Sequence, residues 1–339
     1  MEQQSYLHTF QRTDWHRYNL AKTQEKRLFY ELLNELCKLI PEPIHENGRP
    51  PIPIRDMVFM SALKIYSNYS CRKIAYDVKE AEMSGYIKKA PHFNRLSEFF
   101  NCDATYDLLQ ALLKATAIPL KELEDDFSLD ASGWGEYSYE RWKRYRFSKD
   151  FGKRGSRNYL KGHICIGTRT NIICSAEATY GNLSDIGQAP KLLQGLKEFN
   201  VKRVSADKGY SSQRVLETIK AMGALPFIMF KENANPKENS PEIWRKMFEY
   251  FRDNKQEFLK HYHRRSNVET TFSMIKMRLG EFLKSKNYEA QRNELMMKFI
   301  VHNITCLVSE IFENERHINF KKIVEVFISK KRLFVTSDF

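Results

Sequence analysis

Three features are absent from this sequence, and each absence argues against a class of protein. No stretch approaches the ~18 consecutive apolar residues that a membrane span requires. Residues 1–14 are polar and contain no apolar signal core, so we expect a cytoplasmic protein. The six cysteines are scattered singly, without a Cys-x-x-Cys pair or a cluster with histidines. This pattern predicts reduced, buried thiols rather than a zinc site.

Positive charge is what the sequence has in excess. Its 339 residues contain 55 lysines and arginines against 42 acidic residues, a formal net charge of +13. A polyanion is the expected partner. Nucleic acid and an anionic membrane surface would both fit, and without a membrane span nucleic acid is favoured. The length allows two domains, or one large domain with appendages.

The first third of the chain, residues 14–121, has apolar residues at helical spacing. A proline-rich connector at residues 41–53 separates a predicted N-terminal helical hairpin from a bundle. Three helices are predicted in that bundle, at residues 54–66, 70–81 and 94–100. They match a helix-turn-helix unit that reads DNA and an ordinary helical bundle equally well.

From residue 122 onward, short runs of β-branched and aromatic residues alternate with helical segments, which predicts an α/β domain with a mixed sheet. We divide the chain into a helical region (1–121), a catalytic domain (122–313) and a C-terminal extension (314–339). The predicted strands are 127–131, 159–167, 171–179, 201–206 and 225–230, and the predicted helices are 184–199, 211–222, 244–258, 261–277 and 289–312.

Two aspartates stand where predicted strands end. Asp130 lies near the end of the first strand, and Asp207 directly follows the fourth. Open sheets build their sites at strand ends. Gly209 would let the backbone turn sharply beside the Asp207 carboxylate. Each aspartate could equally be a structural cap of its strand or of the next helix.

The third candidate element is a polar stripe on the predicted helix 261–277. At ~100° per residue, Tyr262, Arg265 and Lys276 all lie close to the direction of Glu269. A solvated stripe is the alternative interpretation. Against it stands an adjacent apolar stripe, which places the polar one at the border of the core. The apolar stripe consists of Val268, Phe272, Ile275 and Leu279.

The spacing Tyr, two residues, Arg, three residues, Glu, six residues, Lys resembles the signature of DDE transposases of bacterial and archaeal insertion sequences. It is complete at Tyr262, Arg265, Glu269 and Lys276. Asp130 and Asp207 match the two aspartates of that family, and the resemblance covers residues 126–307. It implies an RNase H-like fold, a mixed five-stranded sheet flanked by helices, with an all-helical N-terminal DNA-binding region. Only 61 residues separate Asp207 from Glu269, so we predict that the β-rich insertion of some relatives is absent.

The resemblance implies an enzyme that cleaves transposon ends and joins them to target DNA by two-metal phosphodiester hydrolysis and transesterification. Asp130, Asp207 and Glu269 would hold two Mg2+ or Mn2+ ions, while Tyr262, Arg265 and Lys276 would hold a phosphate. The implied partners are double-stranded DNA, as terminal inverted repeats and target, and a second subunit in a synaptic homodimer. The implied location is the nucleoid of a prokaryotic cell. A related RNase H-like nuclease and a catalytically silent DNA-binding protein are the alternatives.

A basic segment follows Asp130 closely. Residues 136–163 contain nine lysines and arginines against three acidic residues, interleaved with aromatic rings. Such a segment would grip phosphates and stack on unpaired bases; the alternative is a solvated loop whose rings pack on the sheet. The predicted DNA-binding residues are Arg141, Lys143, Arg144, Arg146, Lys153, Arg154 and Arg157.

Overall fold

The computed structural model describes residues 14–42, 51–136, 159–231, 234–315 and 318. Its N-terminal part is helical, as predicted. Asp14 starts the first helix by accepting hydrogen bonds from the backbone N–H groups of His16 and Arg17. The five helices are α1 (Trp15–Cys37), α2 (Ile54–Tyr66), α3 (Ala75–Met83), α4 (Asn94–Asn101) and α5 (Ala104–Ala117).

Three details of this region differ from the sequence expectations. Within the described residues a single helix, α1, precedes the connector, where a helical hairpin was predicted. α3 begins at Ala75 rather than after Ser70, because Ser70 accepts a hydrogen bond from the backbone N–H of Lys73 and stabilises a turn instead. α5 had no separate prediction.

The sheet has the order β3-β2-β1-β4-β5, with a short sixth strand on β1. β1 runs antiparallel to β2 and parallel to β4, which in turn runs parallel to β5. This is the topology of the RNase H-like fold, and the predicted fold class is confirmed; the sixth strand was not predicted. The strands are β1 (Asp126–Glu136), β2 (Leu160–Gly167), β3 (Ile173–Tyr180), β4 (Arg203–Ala206), β5 (Leu225–Ile228) and β6 (Phe282–Leu283).

The described part of the chain after β1 contains six further α-helices. The predicted helices 244–258 and 261–277 have different boundaries in the structure. Asn254 leaves helical geometry and ends one helix, and a 3-10 turn occupies His263–Arg265. Among the described residues between Asp207 and Glu269, only helices and β5 occur, and no β-rich insertion is present there. The helices are α6 (Asp185–Gln194), α7 (Gln213–Ala221), α8 (Glu242–Asp253), α9 (Lys255–Tyr262), α10 (Ser266–Leu279) and α11 (Tyr288–Glu313).

α11 lies at the centre of the core, where it packs on β3 and on α1, α2, α4 and α5. Asn303 fixes it to β3: its amide donates to the carbonyl of Ile173 at 2.8 Å and its Oδ1 accepts from the N–H of Ile173 at 2.9 Å. By length and composition α11 could cross a membrane, but 78% of its most apolar window is buried in protein. Its neighbours account for its apolar character. The domain boundary at residue 121 stays a prediction.

Candidate active site

Asp130 and Asp207 lie side by side on adjacent parallel strands. Leu129 of β1 is paired in register with Ala206 of β4, so each aspartate directly follows one residue of this pair. Neighbouring strands are about 4.8 Å apart. Contrary to the prediction, Asp130 does not end its strand: β4 stops at Ala206, whereas β1 continues to Glu136. Asp130 therefore lies where β1 loses its β4 neighbour.

The Asp207 carboxylate is held by a tight turn. It caps the 3-10 turn Lys208–Tyr210, and its Oδ1 accepts from the N–H of Gly209 at 2.7 Å. A Cβ at position 209 would stand only 2.8 Å from that oxygen, which is closer than real Cβ contacts. A side chain at position 209 would therefore displace the Asp207 carboxylate from its present position, and glycine leaves room for it.

The predicted stripe is not on one α-helix, because a 3-10 turn at His263–Arg265 separates α9 from α10. Tyr262 ends α9, Arg265 ends the turn, and Glu269 lies in the first turn of α10. The Arg265 guanidinium nevertheless joins them. It hydrogen-bonds Glu269, lies 3.6 Å from Oδ2 of Asp130, and stands 5.9 Å from the centre of the Tyr262 ring.

Lys276 lies further along β1 than the other signature residues. Its Nζ donates to the Ser132 hydroxyl at 2.7 Å and lies 4.9 Å from the centre of the Trp134 ring. Ser132 and Trp134 are two and four residues beyond Asp130, so their side chains alternate onto the same face of β1. Sequence reasoning missed both residues, and extending the predicted strand past residue 131 would have found them.

The charge around Asp130 is unbalanced. Burial raises the pKa of Asp130 to about 6; the Ala131 N–H and Arg265 lower it, and the carboxylates of Asp207 and Glu269 raise it further. Burial also raises the pKa of Tyr262, against the opposing effect of Arg265. Of these three carboxylates, those of Asp130 and Glu269 contact the Arg265 guanidinium.

The residue types fit a divalent cation, but the side chains do not form a metal cage. Carboxylate oxygens are the ligands that Mg2+ and Mn2+ prefer. A bound cation would favour the ionised form of Asp130, whose pKa is raised mainly by burial and further by the carboxylates of Asp207 and Glu269. Within the described ranges, no three His, Cys, Asp or Glu side chains are grouped closely enough to hold an ion. The Arg265 guanidinium, which contacts both Asp130 and Glu269, supplies the opposing charge instead.

A second ionic cluster, which sequence reasoning also missed, lies at the start of the same strands. The two carboxylate oxygens of Asp126 pair with Arg203 of β4 and with Arg264 of the 3-10 turn. The Asn267 side chain donates to the carbonyl of Thr168 at 2.6 Å. These contacts border a polar cavity of about 630 Å³. They hold the chain that carries Arg265 and Glu269 against the sheet.

The predicted DNA-binding segment falls mostly outside the described residues. This applies to each of its seven predicted DNA-binding residues, Arg141, Lys143, Arg144, Arg146, Lys153, Arg154 and Arg157. Lys161, also counted in that segment, is described and is engaged internally: its Nζ donates to Asp185 at 2.9 Å and to the carbonyl of Leu183 at 3.2 Å.

An RNase H-like sheet with a carboxylate pair at this edge defines a class of enzymes that act on the phosphodiester bonds of nucleic acids. The family model described as Transposase DDE domain matches residues 121–304, more than half of the chain. The chain belongs to this family of transposases, which generally use divalent metal ions and act on DNA. The matched range contains Asp130, Asp207 and Glu269. No curated protein matches the chain closely enough to count as a relative.

Proposed function

We propose that this protein cleaves the ends of a transposable element and joins them to target DNA, using Asp130, Asp207 and Glu269 as ligands of two divalent cations. The observation that carries the proposal is the Leu129–Ala206 register, which sets Asp130 beside Asp207, with Arg265 linking Asp130 to Glu269. Bound cations would activate the attacking oxygen and stabilise charge on the leaving oxygen.

The roles of the basic residues follow from their present partners. Arg265 now neutralises Asp130 and Glu269, and it would turn to a DNA phosphate once cations take over that charge. Tyr262, beside the guanidinium, limits where it can turn. Lys276 is aimed at the same face of β1 by the Ser132 hydroxyl and would contact a phosphate further along the strand.

DNA binding would extend beyond the carboxylates. The net charge of +13, the basic segment 136–163 and the helices α2–α4 are the proposed sources of affinity. Double-stranded terminal repeats and target DNA are the proposed substrates, with a homodimer holding two ends together. A prokaryotic insertion-sequence origin, and with it a location at the nucleoid, belongs to the same proposal.

The test uses labelled duplexes that carry the inverted repeats bordering the gene, with Mg2+ or Mn2+. We expect Glu269→Gln and Asp207→Asn to lower cleavage by at least about 10³-fold, with DNA affinity changed less than about twofold. Glu257→Gln is the matched control, because Glu257 lies on α9 in an exposed pair with Lys260. Cleavage by Glu269→Gln at the wild-type rate would contradict the assignment.

The two alternatives separate in the same experiment. A nuclease of this fold would cleave the duplexes without joining them to a second DNA. A catalytically silent DNA-binding protein would bind but leave both strands intact; the pairing of Arg265 with Asp130 and Glu269 is the feature that favours this alternative. Joined products that require Asp130, Asp207 and Glu269 would exclude both.

A further inference from the structure

The N-terminal helix α1 is joined to the catalytic helix α10 by one ion pair, between Glu25 and Arg278. We propose that Glu25 is a positioning residue: through Arg278 it fixes the place of Glu269 and Lys276 relative to β1. The inference rests on the proposed function, and it assigns the helical region a part in catalysis besides any contact with DNA.

The Glu25 carboxylate is the meeting point of three helices. Arg278 approaches it with both terminal nitrogens, Nη2 to Oε1 and Nη1 to Oε2 at 3.2 Å. The Tyr66 hydroxyl of α2 donates to Oε1 at 3.1 Å, and Lys22 donates to Oε2 at 3.2 Å. The Arg278 guanidinium also lies 5.2 Å from the centre of the Tyr66 ring. Such two-pronged pairing fixes orientation as well as distance.

The pair is partly shielded from water, and the Glu25 carboxylate stays ionised. The side chains of Glu25 and Arg278 are 12% and 31% exposed. Burial alone would raise the pKa of Glu25, but hydrogen bonding and attraction from Arg278 outweigh it and hold this pKa below its ordinary value. Burial, together with the charge of Glu25, raises the pKa of Tyr66 to about 12. At neutral pH Glu25 is therefore a carboxylate acceptor and the Tyr66 hydroxyl a donor.

α10 needs a lateral tether because only one of its faces is packed. Ile275 and Leu279 are buried, whereas Met274 and Met277 on the other side are 43% and 88% exposed. The helix then ends at Gly280, whose φ of +85° turns the chain away. The hydrogen bond from Arg278 to Glu25 connects the last turn of α10 to α1 in the helical region.

Small movements of α10 matter for the site. A rotation of ~20° about the helix axis moves a carboxylate ~6 Å from that axis by ~2 Å. Misplacement of catalytic groups by about 1 Å can lower a rate about 100-fold. Lys276 is two residues from Arg278, and Glu269 is nine residues away on the same helix. Freeing Arg278 would thus disturb both.

The test compares Glu25→Gln, Arg278→Gln and the double variant. Glu31→Gln is the matched control, because Glu31 pairs with Arg27 on the exposed side of the same helix. Each protein is first shown to be folded by thermal unfolding. Binding to a terminal-repeat duplex, the single-turnover cleavage rate of the preformed complex, and hydrogen exchange of the α10 amides are then measured.

We expect each single variant to cleave about 10- to 100-fold more slowly, as for residues that orient metal ligands, with unchanged DNA affinity. Because the two residues act as one unit, the double variant should be no slower than the slower single variant. The α10 amides should exchange faster in Glu25→Gln, and the β1 amides should not. Glu31→Gln should match the wild type in every measurement.

Wild-type cleavage by folded Glu25→Gln, or rate losses that multiply in the double variant, would overturn the inference. A merely structural pair would lower the unfolding temperature and leave the rate of the folded complex intact. If the wild type binds the duplex but cleaves nothing, the proposed function fails by itself. Exchange of the α10 amides then decides: acceleration in Glu25→Gln upholds the positioning by α1, and unchanged exchange overturns it.

Discussion

Asp126 and Asp130 lie four residues apart on the same face of β1, yet they have opposite environments. Asp126 is almost fully buried and pairs with two guanidiniums, those of Arg203 and Arg264. Asp130 is more open, and its nearest guanidinium, 3.6 Å away, also serves Glu269. Asp126 thus has two positively charged partners for one carboxylate, whereas Asp130 has part of one.

The difference teaches how a carboxylate becomes available for chemistry. The charge of an aspartate that pairs with two guanidiniums is already neutralised, so it attracts a cation weakly. Asp126 instead links the sheet to the turn before α10 through its ion pairs. An aspartate that is largely buried and also lies near two other carboxylates, as Asp130 does, loses part of the stabilisation of its ionised form. Residue type and strand are the same, so the neighbours alone decide the role.

The largest expected contrast is in cleavage. Asp130→Asn should lower the single-turnover rate by at least about 10³-fold, because the amide cannot replace a charged metal ligand. Asp126→Asn should retain the rate per folded molecule within about threefold, because its partners are structural. Rates are measured on terminal-repeat duplexes and normalised to the folded fraction. An equal loss of cleavage rate in both variants would contradict the different roles assigned to Asp126 and Asp130.

The next contrast is in stability, where Asp126→Asn rather than Asp130→Asn should have the larger effect. Asp126→Asn should lower the free energy of unfolding by about 3 kcal/mol, the lower end of what removing one partner of a buried pair costs, because Arg203 and Arg264 keep some contact with water. Urea unfolding without metal ions measures it. Glu257→Gln, which removes an exposed charge, should change it by less than about 0.5 kcal/mol. Destabilisation by Asp130→Asn as large as that by Asp126→Asn would contradict the prediction.

The smallest contrast is in pH dependence. The folded pKa of Asp130, about 6, exceeds the unfolded value, so the folded state binds more protons between about pH 4 and 6. As the pH rises through this window, the free energy of unfolding of the wild type should fall relative to that of Asp130→Asn, by up to about 2 to 3 kcal/mol. Unfolding of both proteins at pH 4.5 and 7.5 in a metal-free buffer measures the difference. A difference that does not change with pH would mean that the folded environment of Asp130 does not favour its protonated form.

Most of the strands and helices, and the candidate site residues, could be predicted from the sequence because they depend on local patterns of residues. Strands such as 159–167 were marked by runs of apolar and β-branched residues, and the spacing around Glu269 is a local feature of one segment. β1 was cut short at residue 131 because Gly133 and Gly135 interrupt the strand pattern. That error concealed Ser132 and Trp134 and made Asp130 look like the end of a strand.

The remaining features depend on contacts between distant residues, which spacing does not reveal. Arg265 was assigned to a phosphate from its position beside Glu269, and only the fold shows its approach to Asp130, 135 residues earlier in the chain. Glu25 and Arg278 are 253 residues apart. Asp126 had no predicted role, and its partners Arg203 and Arg264 lie 77 and 138 residues further along the chain.

The central position of α11 has a consequence for how the protein is made. α1, α2 and α5 are synthesised long before residues 288–313, yet their apolar faces pack on that helix. Until α11 is complete, the earlier helices have a hydrophobic surface without its final partner, and the sheet lacks one of its covers. We therefore expect the helical region to complete its packing only late in synthesis, with apolar surface of the nascent chain exposed until then. Any truncation before residue 288 removes a packing partner from the helical region and from the sheet at once.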